Sequence, residues 1–167
     1  MVAGFRYQKD QETLIRAMKH LTIDAELWLI GDGARRPIIE QCIKNNKLSE
    51  RVRLLGVRGD IPSIIKAADV VVQSSHWEGF GLAAVEGMAA GKPVVASNVE
   101  GLAQVVEGAG LLFPHGEEVA LAKIINELLT NDCYYQQVAE KCTERAQMYD
   151  IQKMVDSYNN LYKSLRS

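Results

Sequence analysis

The sequence predicts an α/β fold: a doubly wound, Rossmann-like parallel sheet of about six strands with helices on both faces, and C-terminal helices closing the domain. Three observations predict it. Short apolar, β-branched runs recur along the chain at regular intervals. Amphipathic stretches separate them in strict alternation, the pattern of parallel strands joined by crossover helices. Glycine turns follow strands where the chain enters the next helix, as at Gly31-Asp32-Gly33 and at Gly79 and Gly81. At 167 residues the chain is long enough for one domain, 1–167, with a single core.

The strands expected are Met1–Phe5, Glu26–Ile30, Arg51–Leu55, Asp69–Gln73, Pro93–Ser97 and Gly110–Phe113. Met1–Phe5 reads as strand from its first residue, as expected of the C-terminal part of a longer protein. Helix Asp10–His20 sets Leu14, Met18 and Leu21 on one side. Gly31-Asp32-Gly33 turns the chain from the second strand into helix Ala34–Asn45. Helix Asp60–Ala68 leads into Asp69-Val70-Val71-Val72-Gln73, a run that suits a strand buried on both faces. Helix Leu82–Ala90 is built of small residues and stops at Gly91, with Pro93 just beyond. A short helix, Leu102–Glu107, separates the last two strands. Helices Glu117–Thr130, Tyr134–Met148 and Ile151–Leu165 end the chain. The last carries Ile151, Met154, Val155, Tyr158, Leu161, Tyr162 and Leu165 as one apolar stripe. That stripe has two candidate partners, the domain's own sheet or a partner domain outside the chain.

The formal net charge of −2 offers no basic face for nucleic acid or a bilayer, so no nucleic-acid partner is expected. Any phosphate must be held by local backbone and a few basic side chains. No apolar run approaches the ~20 residues of a membrane span, and no charged-then-apolar signal opens the chain. Cys42, Cys133 and Cys142 are odd in number and lack ligand spacing, which fits a reduced, cytoplasmic setting.

The densest information lies between Ser75 and Pro93. A strand, a glycine turn and a helix N-terminus meet there, and backbone N–H groups in such a place hold phosphate oxygens. Gly79-Phe80-Gly81-Leu82-Ala83-Ala84 matches the loose pattern G-x-G-x-x-A, but it follows the fourth strand, so it is a poor nicotinamide signature. Glu78 and Glu86 flank the turn. With the helix starting near Gly81 or Leu82, they sit at different depths and cannot share a proton or a metal. That spacing disfavours a hydrolytic carboxylate pair and fits two separate hydroxyl-binding points. Lys9, with Arg6 nearby, puts positive charge at a strand's C-terminal end, where open α/β sheets bind ligands. His76 can donate to a phosphate or a hydroxyl, but no nucleophile is patterned around it. His20 and His115 read as surface residues. There is no metal-ligand set, Walker loop or nucleophile elbow.

In this order the chain resembles the C-terminal donor-binding domain of retaining glycosyltransferases with the GT-B architecture, the group 1 family. The resemblance rests on Gly4-Phe5-x-x-x-Lys9 with Thr13–Ala17, Leu27–Gly33, Val52–Gly56, the Glu78-Gly79-Phe80-Gly81-Leu82 block reaching Glu86, Gly91–Ala96 and Gly110–Phe113. It runs nearly end to end, and the E-x7-E block with Phe-Gly-Leu inside is its most specific piece. It implies that Glu78, with the backbone of Phe80 and Gly81, holds donor-sugar hydroxyls, with Gly79 and His76 in the same donor-binding turn. The N–H groups of Gly81 and Leu82 would face the diphosphate, Glu86 would bind the ribose, and the backbone at Leu55 and Gly56 would read the base. Lys9 would neutralise the leaving diphosphate, with Arg6 a second candidate. Two departures stand out: Gly4 occupies a position usually taken by arginine, and Gln104 one often taken by an acid.

The function implied is the donor half of a hexosyltransferase-type enzyme that moves a sugar from a nucleoside-diphosphate sugar to a polysaccharide, lipid-linked or cell-envelope acceptor with retention. No metal or cofactor is implied. The acceptor-binding N-terminal domain would lie outside the chain, and any contact with the inner face of the membrane would come from that half. The chain alone would bind nucleotide and transfer nothing. A sugar-nucleotide epimerase half, a non-catalytic nucleotide-binding module and an interaction domain with a decayed site are the alternatives.

Overall fold

The computed structural model describes residues 1–165. Its strands are β1 (Leu27–Ile30), β2 (Val52–Gly56), β3 (Val71–Gln73), β4 (Val94–Ser97) and β5 (Leu111–Phe113). Its α-helices are α1 (Gln11–Ala17), α2 (Arg36–Asn45), α3 (Ile61–Ala67), α4 (Leu82–Ala89), α5 (Leu102–Val106), α6 (Glu118–Thr130), α7 (Asp132–Ala146) and α8 (Ile151–Ser164). The α/β class with parallel strands is the one expected. β1 pairs with β2, Leu27 opposite Val52, and the register slips so that Ile30 faces Gly56. β3, β4 and β5 form a second parallel set, with Val71 opposite Val94 and Ala96 opposite Leu112.

Five regular strands form among the described residues, where about six were expected. Met1–Phe5 makes one parallel bridge, Val2 to Ile30. The Ala3 N–H donates to the Ile30 carbonyl at 2.9 Å, and the Phe5 N–H to the Asp32 carbonyl at 2.9 Å. On the other side, Gln73 Nε2 donates to the Val2 carbonyl at 3.3 Å. The segment therefore joins the two sets, giving the spatial order β2, β1, 1–5, β3, β4, β5. It makes only this one bridge, because the neighbouring chain turns at Gly31, φ 136°, close against Ala3. A Cβ at Gly31 would stand 2.1 Å from the Ala3 carbonyl oxygen.

Local chemistry accounts for the helix starts. Asp10 caps α1, its Oδ1 accepting from the Thr13 N–H at 3.2 Å. Asn131 and Asp150 cap α7 and α8 in the same way. Pro37 and Pro62 stand in the first turns of α2 and α3, where a missing N–H costs nothing. The expected helix Asp10–His20 tightens into a 3₁₀ turn at Met18–His20, and α7 does so at Gln147–Tyr149. Phe5, Leu29, Met88, Leu102, Phe113 and Leu128 are all but fully buried in one core, each contributing roughly 1.5–3 kcal/mol.

α4 and α5 lie on β3 and β4, α6 packs on α1 and β5, and α7 covers α4. The C-terminal pair α6 and α7 thus closes the domain. α8 stands apart: every residue in it is exposed, and its apolar stripe runs from 41% exposed at Val155 to 75% at Leu165. Of the two partners open to that stripe, the domain's own sheet is not the one. No helix among the described residues is long and apolar enough to cross a membrane.

Candidate functional site

The C-terminal ends of the strands gather the turns that carry the candidate residues. After Met1–Phe5 the chain makes a 3₁₀ turn, Tyr7–Lys9, and enters Asp10 in the left-handed region at φ 45°. This turn is stitched to the one after β3. The His76 N–H donates to the Gln8 carbonyl at 2.8 Å, Gln8 Nε2 to the Trp77 carbonyl at 3.0 Å, and Ser74 Oγ to the Asp10 carbonyl at 2.8 Å. From the end of β4, buried Ser97 donates to the Ser75 carbonyl at 2.6 Å.

Those bonds set two charged groups face to face. Lys9 Nζ is ion-paired with Glu78 Oε2, and both side chains are largely shielded. Ser75 Oγ donates to the same carboxylate oxygen at 3.2 Å. The sequence singled out Lys9 and Glu78 separately; the structure joins them.

Just beyond, Gly81 leads into α4 at φ 92°, a conformation that favours glycine. A Cβ there would also stand 2.6 Å from Leu102 Cδ1. α4 has no side-chain cap, so its leading N–H groups and the positive end of its dipole are free to meet an anion. A cavity of about 580 Å³ opens beside this turn, lined by His76, Trp77, Glu78, Gly79, Val99, Glu100, Gly101 and Gln104. A second, mainly apolar cavity of about 460 Å³ lies at the other end of the strands, bounded by Leu27, Val70 and Leu129 among others.

Other candidates sit further out. Glu86 is exposed, a full turn into α4. Gly56 ends β2 at φ 67°, and its carbonyl accepts from the Gly31 N–H at 2.8 Å. Among the described residues, no hydrogen bond or ion pair links either to the Lys9–Glu78 pair. Phe80 meets Tyr149 edge to face, ring centroids 5.2 Å apart, and Leu82 is exposed. The Arg6 Nε lies 3.7 Å from where a Cβ on Gly4 would stand. The Arg6 side chain therefore passes close beside Gly4.

Two features went unread in the sequence. Gly101, at φ 81°, packs its α-carbon against the backbone of Glu78 and Gly79, where a Cβ would lie 2.1 Å from the Glu78 carbonyl oxygen. Its only sequence signal is its place before a short helix. Asp10, His76 and His115 come together although nothing in their spacing marks them as a set; His115 is exposed, as expected, and its ring meets that of His76.

The arrangement offers a cation paired with a shielded carboxylate that lines the cavity, and free amides at the start of α4 nearby, a set that can meet anionic oxygens and hydroxyls. The chain folds like Anabaena HepE in complex with UDP and glucose, with 31% identity and a TM-score of 0.90 over 98% of this chain and 48% of that one. It is similar to the C-terminal domain of a glycosyl transferase group 1 family protein, LpcC, from Francisella tularensis. There the identity is 25% and the TM-score 0.79, over 90% of this chain and 85% of that one. An uncharacterised glycosyltransferase of Methanocaldococcus jannaschii is 34% identical across 98% of this chain and 47% of its own length. The chain spans less than half the length of the first curated relatives it matches. The family described as Glycosyl transferases group 1 matches residues 1–148, from the Val2 bridge through α7 and so across every residue of the cavity, and the chain belongs to that family.

Proposed function

We propose that the chain is the donor-binding half of a glycosyltransferase, holding a nucleoside-diphosphate sugar while an acceptor attacks its anomeric carbon with retention of configuration. The observation that carries this is the Lys9–Glu78 pair, whose Glu78 lines the cavity, close in sequence to the uncapped start of α4. Lys9 and the amides of Gly81 and Leu82 offset the charge that develops on the departing diphosphate. Glu78, with the turn Gly79–Gly81, accepts from sugar hydroxyls, and His76 donates at the cavity rim. Glu86 takes the ribose and Gly56 lies on the base side. Arg6 supplies further charge beside Gly4. No protein nucleophile or metal takes part in the transfer step. An epimerase would need an acid and a base flanking the sugar. Glu78 is tied to Lys9, and His76 faces Asp10 and His115, so that reading is weaker.

The acceptor, a hexosyl-receiving polysaccharide or lipid-linked glycan, belongs to an N-terminal half outside this chain. The exposed stripe of α8 is the surface offered to that half. Three free cysteines accord with a reduced, cytoplasmic setting.

The test is an NMR titration of the chain with UDP, GDP and ADP. UDP comes first because HepE was solved with it. Shifts confined to amides around Gly81–Val85, lost in Glu86→Ala, are expected. Transfer to simple acceptors by the chain alone is not. Shifts scattered away from this turn, or a response unchanged in Glu86→Ala, would refute the assignment.

A further inference from the structure

We infer that Asp10, His76 and His115 form a binding site for a divalent transition-metal ion of the zinc class, one that pins the turns around the cavity and lies outside the transfer chemistry. Each residue offers one ligand atom, and the three atoms lie within 4.8 Å of one another. They come from three separate turns: the one after Met1–Phe5, the one after β3, and the one after β5.

The buried carboxylate is the strongest sign. The Asp10 side chain is only 5% exposed. Its Oδ1 is used by the Thr13 N–H, but Oδ2 has no hydrogen-bond partner. The nearest charge-bearing group is His76 Nδ1 at 3.8 Å, too long for a hydrogen bond. A buried carboxylate oxygen left in that state is costly, and a bound cation removes the cost.

The histidines supply the rest. His76 Nδ1 and His115 Nε2 face each other, and two ring nitrogens in contact cannot both carry protons, so at least one lone pair points into the cluster. The ring of His76 is oriented by Tyr7, 4.5 Å away between centroids, and its backbone is tied to Gln8. Two imidazole nitrogens and one carboxylate oxygen match a zinc-class ion with its fourth position open to water, whereas magnesium and calcium take oxygen sets. Metal–ligand bonds of ~2.0–2.2 Å hold donor atoms about 3.5 Å apart in a tetrahedron. The two ring nitrogens stand closer together than that, so exposed His115 turns its ring away from His76 to admit the ion. An ion here ties the turn after β5 to the turns that bear Lys9 and Glu78.

The test uses tag-free, chelator-stripped chain with no nucleotide present, so that its outcome is separate from donor binding. Co²⁺ is titrated by visible absorption and then displaced with Zn²⁺, and Zn²⁺ affinity is measured by calorimetry. One ion per chain is expected. His115→Ala, His76→Ala and Asp10→Asn should each weaken Zn²⁺ roughly tenfold or more. Asn at position 10 keeps an oxygen for the α1 cap, and circular dichroism checks that each variant is folded. Zn²⁺ should raise the Tm of the parent chain and not of the variants. No uptake at millimolar Zn²⁺, or uptake indifferent to all three substitutions, would overturn the site and leave a hydrogen-bonded His–His–Asp cluster. UDP binding to the stripped chain, present or absent, bears on the donor assignment alone.

Discussion

Gly101→Ala tests the link between fold and site most sharply. Gly101 holds φ 81°, ψ −56°, a strained conformation for any residue with a Cβ. Strain of that kind costs about 1–3 kcal/mol. The new methyl would also lie 2.1 Å from the Glu78 carbonyl oxygen and 2.8 Å from that of Gly79. Reaching an ordinary contact requires the binding turn to retreat by at least ~1 Å. Together these give an expected loss near 3 kcal/mol, which for a chain of this size lowers Tm by roughly 6–12 °C. A displacement of ~1 Å at the groups that hold a ligand is worth about a hundredfold in function, so the UDP response should fall by that order. Gly79→Ala is the control, since a Cβ there meets nothing within 4 Å. It should leave Tm within roughly 2 °C of the parent. Thermal melts of the three chains, followed by UDP titration, read both effects. If Gly101→Ala melts with the parent, or Gly79→Ala loses as much, the contact between α5 and the binding turn does not matter as described.

Gly4→Arg should fold normally, because the nearest atoms to its Cβ are 3.7 Å away. It should tighten UDP roughly tenfold through one added charge-assisted bond; unchanged affinity in a titration would mean that Arg6 already fills the role. With a disulfide reagent at pH 8, exposed Cys133 should react first. Burial pushes the thiols of Cys42 and Cys142 up, so their reactive thiolates form later as pH rises, and fully buried Cys142 should react only on unfolding. Fast labelling of Cys142, read by peptide mass spectrometry, would contradict the packing of α7. Tyr158→Asp should change the stability of this chain by no more than about 0.5 kcal/mol, measured by urea unfolding, because every residue of α8 is exposed. A larger loss would mean that α8 packs on the domain after all.

Alternation of apolar runs with amphipathic helices made the fold class readable, because a strand such as Val71–Gln73, buried along its length, has to be apolar throughout. What a run of apolar residues cannot tell is whether both edges of its backbone find partners, and Met1–Phe5 finds one. The stripe on α8 announced a helix with a buried face but carried no information on what buries it. Lys9 and Glu78 were legible because each sits beside a turn, yet their pairing across 69 positions was not. Gly101 was missed for the same reason. Its necessity comes from Glu78, a neighbour only in space.

Under the proposed function, the Lys9–Glu78 pair bears on turnover. In the unliganded chain each group of the pair offsets the other's charge. A diphosphate that arrives without its sugar draws Lys9 away and strands Glu78 beside an anion. A nucleotide-sugar held as proposed would compensate both, giving phosphate oxygens to Lys9 and hydroxyls to Glu78. Once the sugar has left, the spent nucleotide can no longer satisfy the carboxylate, and restoring the ion pair favours its expulsion. In the proposed enzyme the same two side chains would serve both donor entry and product release.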